Sequence, residues 1–408
     1  MAQSSSRTRL SSRARSSSRK KPGSAFLGFR RPSGPPGARN HLAVISAMDN
    51  TNPLVRRICS LRSDLTAVNT SFGRALMGED EAQHFRVMGH LAGHPNVGAA
   101  IIVGLEPKTA GAIAETAARV SPWMPLEIVT VHEVGGTLKI TSRALELAQK
   151  LAAHLSAARR EPCGLDELTL GAECGGSDTT SGLVSNPVTG MVADRVVASG
   201  GTVIFSETLE IVGAEHLLAA RAEDARTKRR ILAGVRRALA YAEELGVDLI
   251  GSNPTPDNMA GGLSSIEEKS LGAIKKAGNG PIVEVVGVGE RPTKTGTVFA
   301  DAPCGGVENI TSLAASRAQA IVFSTGIGNP IGHPIAPTVK VTGNPRTAAL
   351  MPENIDVDLR DVIESGLGFQ EAADRLENEL LEVLSGKLTA SEVLGETEIT
   401  VSRAALSL

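Results

Sequence analysis

The chain has 408 residues, of which 41% are hydrophobic and 21% charged, and its formal net charge is −2. These values are those of an ordinary globular protein, large enough for two or three domains with substantial cores. No run of about 18 apolar residues occurs, which excludes a transmembrane helix and predicts no membrane partner.

Residues 1–24 differ sharply from the rest of the chain. They are rich in Ser and Arg, and the first acidic residue of the whole sequence is Asp49. Because such a segment buries too little apolar surface to offset its ordering entropy, we predict a disordered extension. A transit peptide and a phosphate-binding arm are alternatives, but the segment has no amphipathic face and no aromatic residue between its arginines. We therefore expect no nucleic-acid partner.

The region 25–160 alternates between strand and helix patterns. Buried strands are predicted at LAVISAM, VGAAIIVGLE and LEIVTVHE, and they end in the polar residues Asp49, Glu106 and His132. Helical periodicity follows each strand, most clearly in TSRALELAQKLAAHLSAARR. Strands and helices that alternate in this way predict parallel β-α-β units in two or three layers. We assign 25–160 to an N-terminal α/β domain.

The stretch from Gly171 to His216 concentrates reactive and flexible residues. Glycines in its segment ECGGSDTTSG allow the backbone to approach a ligand closely, while the Ser and Thr hydroxyls can point towards it. This pattern predicts a cradle for a small anionic ligand, with Ser177 and Asp178 as binding residues. A plain Gly/Ser loop is the alternative.

A second polar cluster follows the predicted strand TVIF, residues 202–205. In open α/β sheets the ligand site lies beyond the carboxyl ends of the strands, which gives Glu207 the position of a catalytic group. We predict a divalent cation site made of Cys174, Glu207, Glu210 and His216. Oxygen and nitrogen donors suit Mg, Mn or Fe(II), and one thiolate favours iron or zinc. A helix-terminal histidine satisfied by backbone is the alternative for His216.

The next unusual segment follows one long helix, predicted from about Glu215 to Leu245. There NPTPDNMAGGLSS runs into the helix EEKSLGAIKK, whose N-terminus would offer free amides and a favourable dipole to an anion. The anion-binding residues predicted in this segment are Asn258, Gly261, Gly262 and Lys269. An ordinary surface charge is the alternative for Lys269.

A later strand, AQAIVFS, leads into a glycine loop in which Thr325 and Asn329 are predicted to bind an anionic substrate. Neither a GKS sequence nor GxGxxG is present, which argues against a nucleotide site and against a nicotinamide dehydrogenase. From about Ile355 the pattern is helical. We assign 161–408 to a catalytic α/β domain with a helical C-terminal end.

The four cysteines, Cys59, Cys163, Cys174 and Cys304, are far apart and include no C-x-x-C pair. This spacing indicates neither a disulfide framework nor a structural zinc site. We therefore expect a reducing compartment, the cytoplasm.

Four blocks of the sequence resemble the altronate and galactarate dehydratase family: GAECGGSDTTSGLVSNPVTG, SETLEIVGAEHLLAARA, NPTPDNMAGGLSSIEEKSLGAIKKAG and SGKLTASEVLGE. The resemblance covers nearly all of the chain from Gly28 onward. It implies a lyase that acts on small α-hydroxy acids with a divalent metal, Fe(II) first, with Mg or Mn as alternatives. Candidate bases for removal of the α-proton are Lys269, His41 and His132.

Other segments, among them GFRRPSGPPGARNH, VISAMDNTNP and GNPIGHPIAPTVKVTGN, look more like the sulfolactate sulfo-lyase members of that family. This likeness implies elimination of sulfite from 3-sulfolactate to give pyruvate, with dehydration of altronate or galactarate as the alternative. We expect the small N-terminal β domain of the sugar-acid enzymes to be replaced by a separate small β-rich subunit, in an oligomer. A non-catalytic binding subunit is a further alternative.

Overall fold

The computed structural model describes residues 25–249 and 253–404, so the predicted disordered extension at residues 1–24 lies outside the described residues. A short antiparallel pair, β1 (Ala25–Gly28) with β6 (Glu161–Gly164), joins the beginnings of two larger units. Each unit is a parallel sheet covered by helices, and the predicted α/β class is confirmed. Among the described helices, none combines the length and the apolar character needed to cross a membrane.

The strands of the first unit are β2 (His41–Ser46), β3 (Leu65–Val68), β4 (Val97–Gly104) and β5 (Leu126–Thr130). Its helices are α1 (Asn52–Ser60), α2 (Glu79–Ala92), α3 (Pro107–Val120), α4 (Val131–Val134) and α5 (Thr137–Leu155). The sheet has the order β3-β2-β4-β5, and every pairing is parallel. β4 is buried along its whole length, as expected for a parallel strand covered on both faces.

The predicted strand end at His132 is wrong. β5 ends at Thr130, whose hydroxyl donates to the Glu133 carboxylate at 2.6 Å and begins the short helix α4. His132 therefore lies in a helical turn and not at the end of a strand.

The strands of the second unit are β7 (Thr169–Cys174), β8 (Thr202–Phe205), β9 (Ile282–Val286), β10 (Gly296–Ala300), β11 (Ala320–Ser324), β12 (Thr338–Thr342) and β13 (Val357–Asp358). They form one sheet in the order β13-β12-β11-β7-β8-β10-β9. Every pairing in it is parallel. The buried runs TVIF and AIVFS, read as strands from the sequence, become β8 and β11.

The helices of the second unit are α6 (Asn186–Ala198), α7 (Glu215–Ala220), α8 (Ala225–Glu244), α9 (Pro256–Ala260), α10 (Ile266–Ala273), α11 (Gly306–Ala315), α12 (Pro345–Leu350), α13 (Asp361–Glu364), α14 (Phe369–Leu384) and α15 (Ala390–Leu394). The single helix predicted from about Glu215 to Leu245 is wrong. Two helices, α7 and α8, replace it, because the Asp224 carboxylate accepts from the Thr227 amide at 2.7 Å and starts α8.

One hydrophobic core joins the two sheets. It includes Ile45 and Ile102 of the first sheet, Leu91 of α2, and Ile204 and Phe323 of the second sheet. The two sheets are therefore packed against a shared layer of helices, in which α2 contacts α3 and α11. The division of function between 25–160 and 161–408 stays a prediction.

Candidate active site

The candidate site lies at the point where the strand order of the second sheet reverses. The chain starts this sheet at β7, extends it on one side with β8, β9 and β10, and then adds β11, β12 and β13 on the other side. Ligands of such sheets bind beyond the carboxyl ends of the strands at this switch point. Here β7 ends at Cys174, and the next amide, that of Gly175, donates to the Ser324 carbonyl of β11 at 3.1 Å.

Three of the four predicted metal ligands meet at this point. The Cys174 Sγ lies 3.3 Å from a Glu210 oxygen and 3.6 Å from a Glu207 oxygen. One ligand atom from each residue falls within 4.8 Å of the others, and all three side chains are buried. The three residues, called the acid–thiol cluster below, can therefore hold a metal ion.

The backbone after β8 brings the two carboxylates inward. Glu207 has φ +82° and ψ +75°, a left-handed conformation that costs energy for a residue with a Cβ. A turn of 3-10 helix, Thr208–Ile211, follows and carries Glu210 back beside Cys174. Such local strain persists only where the surroundings hold it, and it is concentrated at functional sites.

Two buried lysines contact the acid–thiol cluster. Lys269 of α10 donates to Glu210 at 2.9 Å, and Lys276 contacts Glu207 and lies 2.8 Å from the Cys174 Sγ. Sequence reasoning found Lys269 but missed Lys276. The sequence did carry a signal for Lys276. It follows Lys269 by seven residues, and residues at that spacing in one helix lie two turns apart on the same face.

The pKa values of the cluster reflect its burial. Burial raises the pKa of Glu207 to about 7, and the neighbouring Glu210 acts in the same direction. Burial also raises the pKa of the Cys174 thiol well above its ordinary value. Burial alone would raise the pKa of Glu210, but Lys269 and Lys276 bring it below its ordinary value. For Lys276, burial opposes the charge, yet the facing Cys174 and carboxylates raise its pKa well above the ordinary value.

Glu173 is a further buried acid that sequence reasoning missed. Burial, with a contribution from Glu207, raises the pKa of Glu173 well above its ordinary value. One carboxylate oxygen contacts the Asn309 side chain, and the other has no hydrogen-bond partner among the described residues. Glu173 is the neighbour of Cys174 in β7, so its side chain points to the opposite face of the sheet.

The charges around the cluster favour a bound cation. Three acidic groups, Cys174, Glu207 and Glu210, face the two ammonium groups of Lys269 and Lys276. If all three acids were ionised, one negative charge would remain, which a cation would offset. A donor set of one thiolate with carboxylates suits Fe(II), whereas oxygen donors alone suit Mg or Mn.

Lys269 links the cluster to a neighbouring cavity of about 220 Å³, whose lining residues do not include Cys174, Glu207 or Glu210. The Lys269 side chain lines this cavity, donates to Glu210, and also donates to Asn253 at 2.9 Å. Ser177 lines the cavity as well, and its buried hydroxyl has no hydrogen-bond partner among the described residues. A buried hydroxyl without a partner is costly unless a ligand satisfies it.

Asp178 and Asn258 hold the loop that carries Ser177. The Asp178 carboxylate accepts from Thr180 at 2.7 Å, from the Ser181 amide at 2.8 Å and from the Asn344 side chain at 2.7 Å. The Asn258 side chain donates to the Ser177 carbonyl at 2.8 Å. Asp178 lines the cavity, whereas Asn258 is not among its lining residues, and both side chains position the loop.

The amides predicted to bind an anion are already used. Those of Gly261 and Gly262 donate to the carbonyls of Asp257 and Met259 at 3.0 and 2.9 Å, so these two glycines offer no free donor here. At the start of α10, the Ser265 hydroxyl accepts from the Glu268 amide, and the Glu268 carboxylate accepts from Ser264. Side chains of this segment therefore cap part of the helix N-terminus, and its binding of an anion stays a prediction.

The predicted residues of the glycine loop also bond within the loop. The Thr325 hydroxyl is buried and accepts from the Gly328 amide at 3.1 Å, and the Asn329 side chain accepts from the Ile331 amide at 3.0 Å. Their contact with a substrate stays a prediction.

The structure brings none of the three predicted histidines to the acid–thiol cluster. His216 is exposed on α7 and does not belong to the group of Cys174, Glu207 and Glu210. His132 is exposed on α4. His41 lines another cavity, where its ring bonds to Thr66 at 2.9 Å. Burial lowers the pKa of His41 to about 4. The physical reason is the same in each case: these histidines sit on elements that do not end at the switch point.

Comparison with known families assigns both units. Residues 28–156 match the model described as D-galactarate dehydratase/Altronate hydrolase, second domain, and residues 165–407 match D-galactarate/Altronate dehydratase, C-terminal. The second match alone spans more than half of the chain. The chain belongs to the galactarate and altronate dehydratase family. It is therefore an enzyme of the lyase class, as the sequence predicted.

Individual relatives divide between two reactions. The (2R)-sulfolactate sulfo-lyase subunit beta of Chromohalobacter salexigens is 37% identical over 383 residues, which cover 93% of this chain and 98% of that protein. Altronate dehydratase of Escherichia coli is 30% identical over 393 residues, covering 93% and 78%. Galactarate dehydratase (L-threo-forming) of Escherichia coli is 35% identical over 243 residues, covering 60% of this chain and 46% of that protein.

The four cysteines of the chain, Cys59, Cys163, Cys174 and Cys304, are all free.

Proposed function

We propose that this chain is the large subunit of a lyase that converts 3-sulfolactate into pyruvate and sulfite, with a separate small β-rich subunit as its partner. The observation that carries the lyase chemistry is the buried acid–thiol cluster, which Lys269 connects to a substrate-sized cavity. The choice of substrate is supported by the relative named as a sulfo-lyase subunit. The match to this chain covers 98% of that relative's length.

The residues that would hold the divalent metal are Cys174, Glu207 and Glu210. We propose Fe(II), because the thiolate favours a softer ion than Mg or Mn. When bound, such an ion supplies Lewis acidity to the carboxylate and hydroxyl oxygens of a hydroxy acid. His216 stays outside this set, since it is exposed on α7.

Elimination requires a base for the proton on the α-carbon, and Lys269 is our candidate. It is the one predicted base whose side chain lines the cavity beside the cluster. Burial alone would lower the pKa of Lys269, but the facing Glu210 raises it above the ordinary value, so Lys269 must lose its own proton before it can act as the base. The Ser177 hydroxyl, which lacks a partner among the described residues, would orient the substrate by a hydrogen bond.

The bonds balance without a further reactant. The base removes the proton from the α-carbon, the carbon–sulfur electrons leave with sulfite, and the resulting enol becomes pyruvate. Sulfite is a stable anion, so its departure needs less help from a general acid than departure of hydroxide would. Dehydration of altronate or galactarate is the second candidate, supported by the altronate dehydratase that matches 93% of this chain.

The test is to load the purified chain with Fe(II) under anaerobic conditions and to assay it with and without a co-expressed small β-rich partner. We expect equal amounts of sulfite and pyruvate from 3-sulfolactate, and no 2-keto acid from altronate or galactarate. Keto-acid formation from either sugar acid, without sulfite release from 3-sulfolactate, would support the dehydratase instead. Turnover of none of the three with the partner present would leave this chain as a binding subunit.

A further inference from the structure

A second and larger cavity, of about 610 Å³, adjoins the first one. Asp178 lines both cavities, so the two meet at the loop that carries Ser177. The walls of the second cavity come from the end of α9 at Gly261, from Ile327 in the loop after β11, and from the start of α12 at Arg346. A ligand seated beside Lys269 would therefore extend towards these elements.

Arg346 is the only cationic residue among the described residues that line this second cavity. Its guanidinium forms no ion pair with any described residue, and the side chain is exposed. Of the two acids in the lining, Asp178 already accepts three hydrogen bonds, and Asp257 is exposed to solvent. The positive charge of Arg346 is thus available to an anionic ligand.

The backbone of Arg346 is held at the site by hydrogen bonds to both neighbouring loops. The Asn344 side chain accepts from the Arg346 amide at 2.8 Å and donates to Asp178 at 2.7 Å. The Thr347 hydroxyl donates to the Gly326 carbonyl at 2.6 Å, which ties α12 to the glycine loop. The exposed side chain of Arg346 extends from this fixed backbone. A guanidinium on a fixed backbone suits bidentate recognition of a sulfonate or carboxylate.

We infer that Arg346 binds the anionic group at the far end of the substrate, so that the site selects α-hydroxy acids with a second negative charge. This inference rests on the proposed function, in which a sulfonate occupies that end. Arg346 then determines specificity, whereas the acid–thiol cluster and Lys269 act on the α-carbon. A monocarboxylate such as lactate would fill the first cavity without using Arg346.

The experiment compares the parent enzyme, with its partner subunit where activity requires it, and the Arg346→Gln variant. Two inhibitors of 3-sulfolactate turnover separate the two ends of the site: 3-sulfopropanoate carries the sulfonate, and lactate does not. We expect the KM for 3-sulfolactate and the Ki of 3-sulfopropanoate to rise about 10- to 100-fold, while the Ki of lactate stays within about twofold. Arg346→Lys should recover part of the loss, because it keeps the charge without the planar fork.

The matched control is Arg119→Gln, which removes an exposed arginine of α3 in the first unit. It should change the Ki of neither inhibitor. An equal loss of affinity for lactate and 3-sulfopropanoate in Arg346→Gln would overturn the inference, and so would no loss for either. If the parent enzyme releases no sulfite, the proposed function fails by itself. Direct calorimetric binding of the two inhibitors then tests Arg346: a preference for the sulfonate that the variant loses supports the inference, and no preference overturns it.

Discussion

In both parallel sheets a polar residue follows the end of a strand, but these residues have different roles in the two sheets. After β4 in the first sheet, the Glu106 carboxylate accepts from the Thr109 amide at 3.0 Å and caps α3. The contact with Thr109 lowers the pKa of Glu106. After β8 in the second sheet, Glu207 is buried beside another carboxylate, and its pKa rises to about 7. A polar residue at a strand end therefore marks a reactive site only when its charged group is buried and accepts no hydrogen bond from backbone amides.

The histidines follow the same division. In the first unit, His84 and His94 are buried, and each ring bonds to a backbone carbonyl, that of Ala47 or Ala318, at 3.1 Å. Burial lowers the pKa of both rings. The His84 ring bonds within the first unit and the His94 ring joins it to the second, whereas charged lysines and carboxylates surround the candidate site of the second unit. The substitutions below test this contrast between the two units.

The largest effect should come from Glu207. We expect Glu207→Gln to lower kcat by about 1,000-fold, because it removes a charge from the acid–thiol cluster. Glu106→Gln changes the matching strand-end carboxylate of the first sheet and should leave kcat unchanged. Steady-state kinetics of both variants, with circular dichroism as a check of folding, measure this contrast. Full turnover of Glu207→Gln would remove Glu207 from the reaction.

Lys276→Met should show how strongly the second sheet depends on buried charge. The substitution leaves Glu207 and Cys174 without their nearest ammonium, which costs about 3 to 5 kcal/mol of unfolding free energy. Lys294→Met removes an exposed lysine that is paired with Glu223 at 2.8 Å and should change the unfolding free energy far less, because solvent screens the pair. Urea denaturation gives both values. Equal losses would mean that Lys276 behaves like a surface lysine.

The pH dependence of stability should come from the buried histidines. Burial lowers the pKa of His41 and His90 to about 4, and that of His333 to about 3. Between these values and the ordinary 6.5, the unfolded chain binds more protons than the folded one. Each of these histidines therefore lowers the unfolding free energy as the pH falls below about 6.5, by up to about 1.4 kcal/mol per pH unit, whereas the raised pKa of Glu207 acts in the opposite direction.

Denaturant titrations between pH 7 and pH 5 measure this slope. His90→Gln should make the slope shallower, and the change of the exposed His154 to Gln should not. An identical slope in the parent and in His90→Gln would show that this histidine is not held neutral.

The smallest effect should come from Glu106→Ala. Loss of the helix cap costs about 1 kcal/mol of unfolding free energy, and activity should be retained. Thermal or urea unfolding measures the loss. A fall in kcat larger than the fall in stability explains would assign Glu106 a part in the reaction and weaken the contrast between the two sheets.

Much of the fold could be predicted, because buried strands leave clear apolar runs such as TVIF and AIVFS. Cys174, Glu207 and Glu210 could be predicted as neighbours because strand ends meet at one edge of a parallel sheet. Glu173 could not, since an acid inside a strand gives no sign of which face it buries. The break between α7 and α8 was missed because the capping Asp224 lies within a charged run.

The central claim is that Cys174 and the two carboxylates bind one divalent metal ion. Co(II) titration tests it most directly, because a thiolate ligand gives Co(II) a sulfur-to-metal charge-transfer absorption. We expect the parent chain to bind about one Co(II) with this absorption, and Cys174→Ser to lose the absorption while Cys59→Ser keeps it. Absence of the band in the parent, or an unchanged band in Cys174→Ser, would contradict the account.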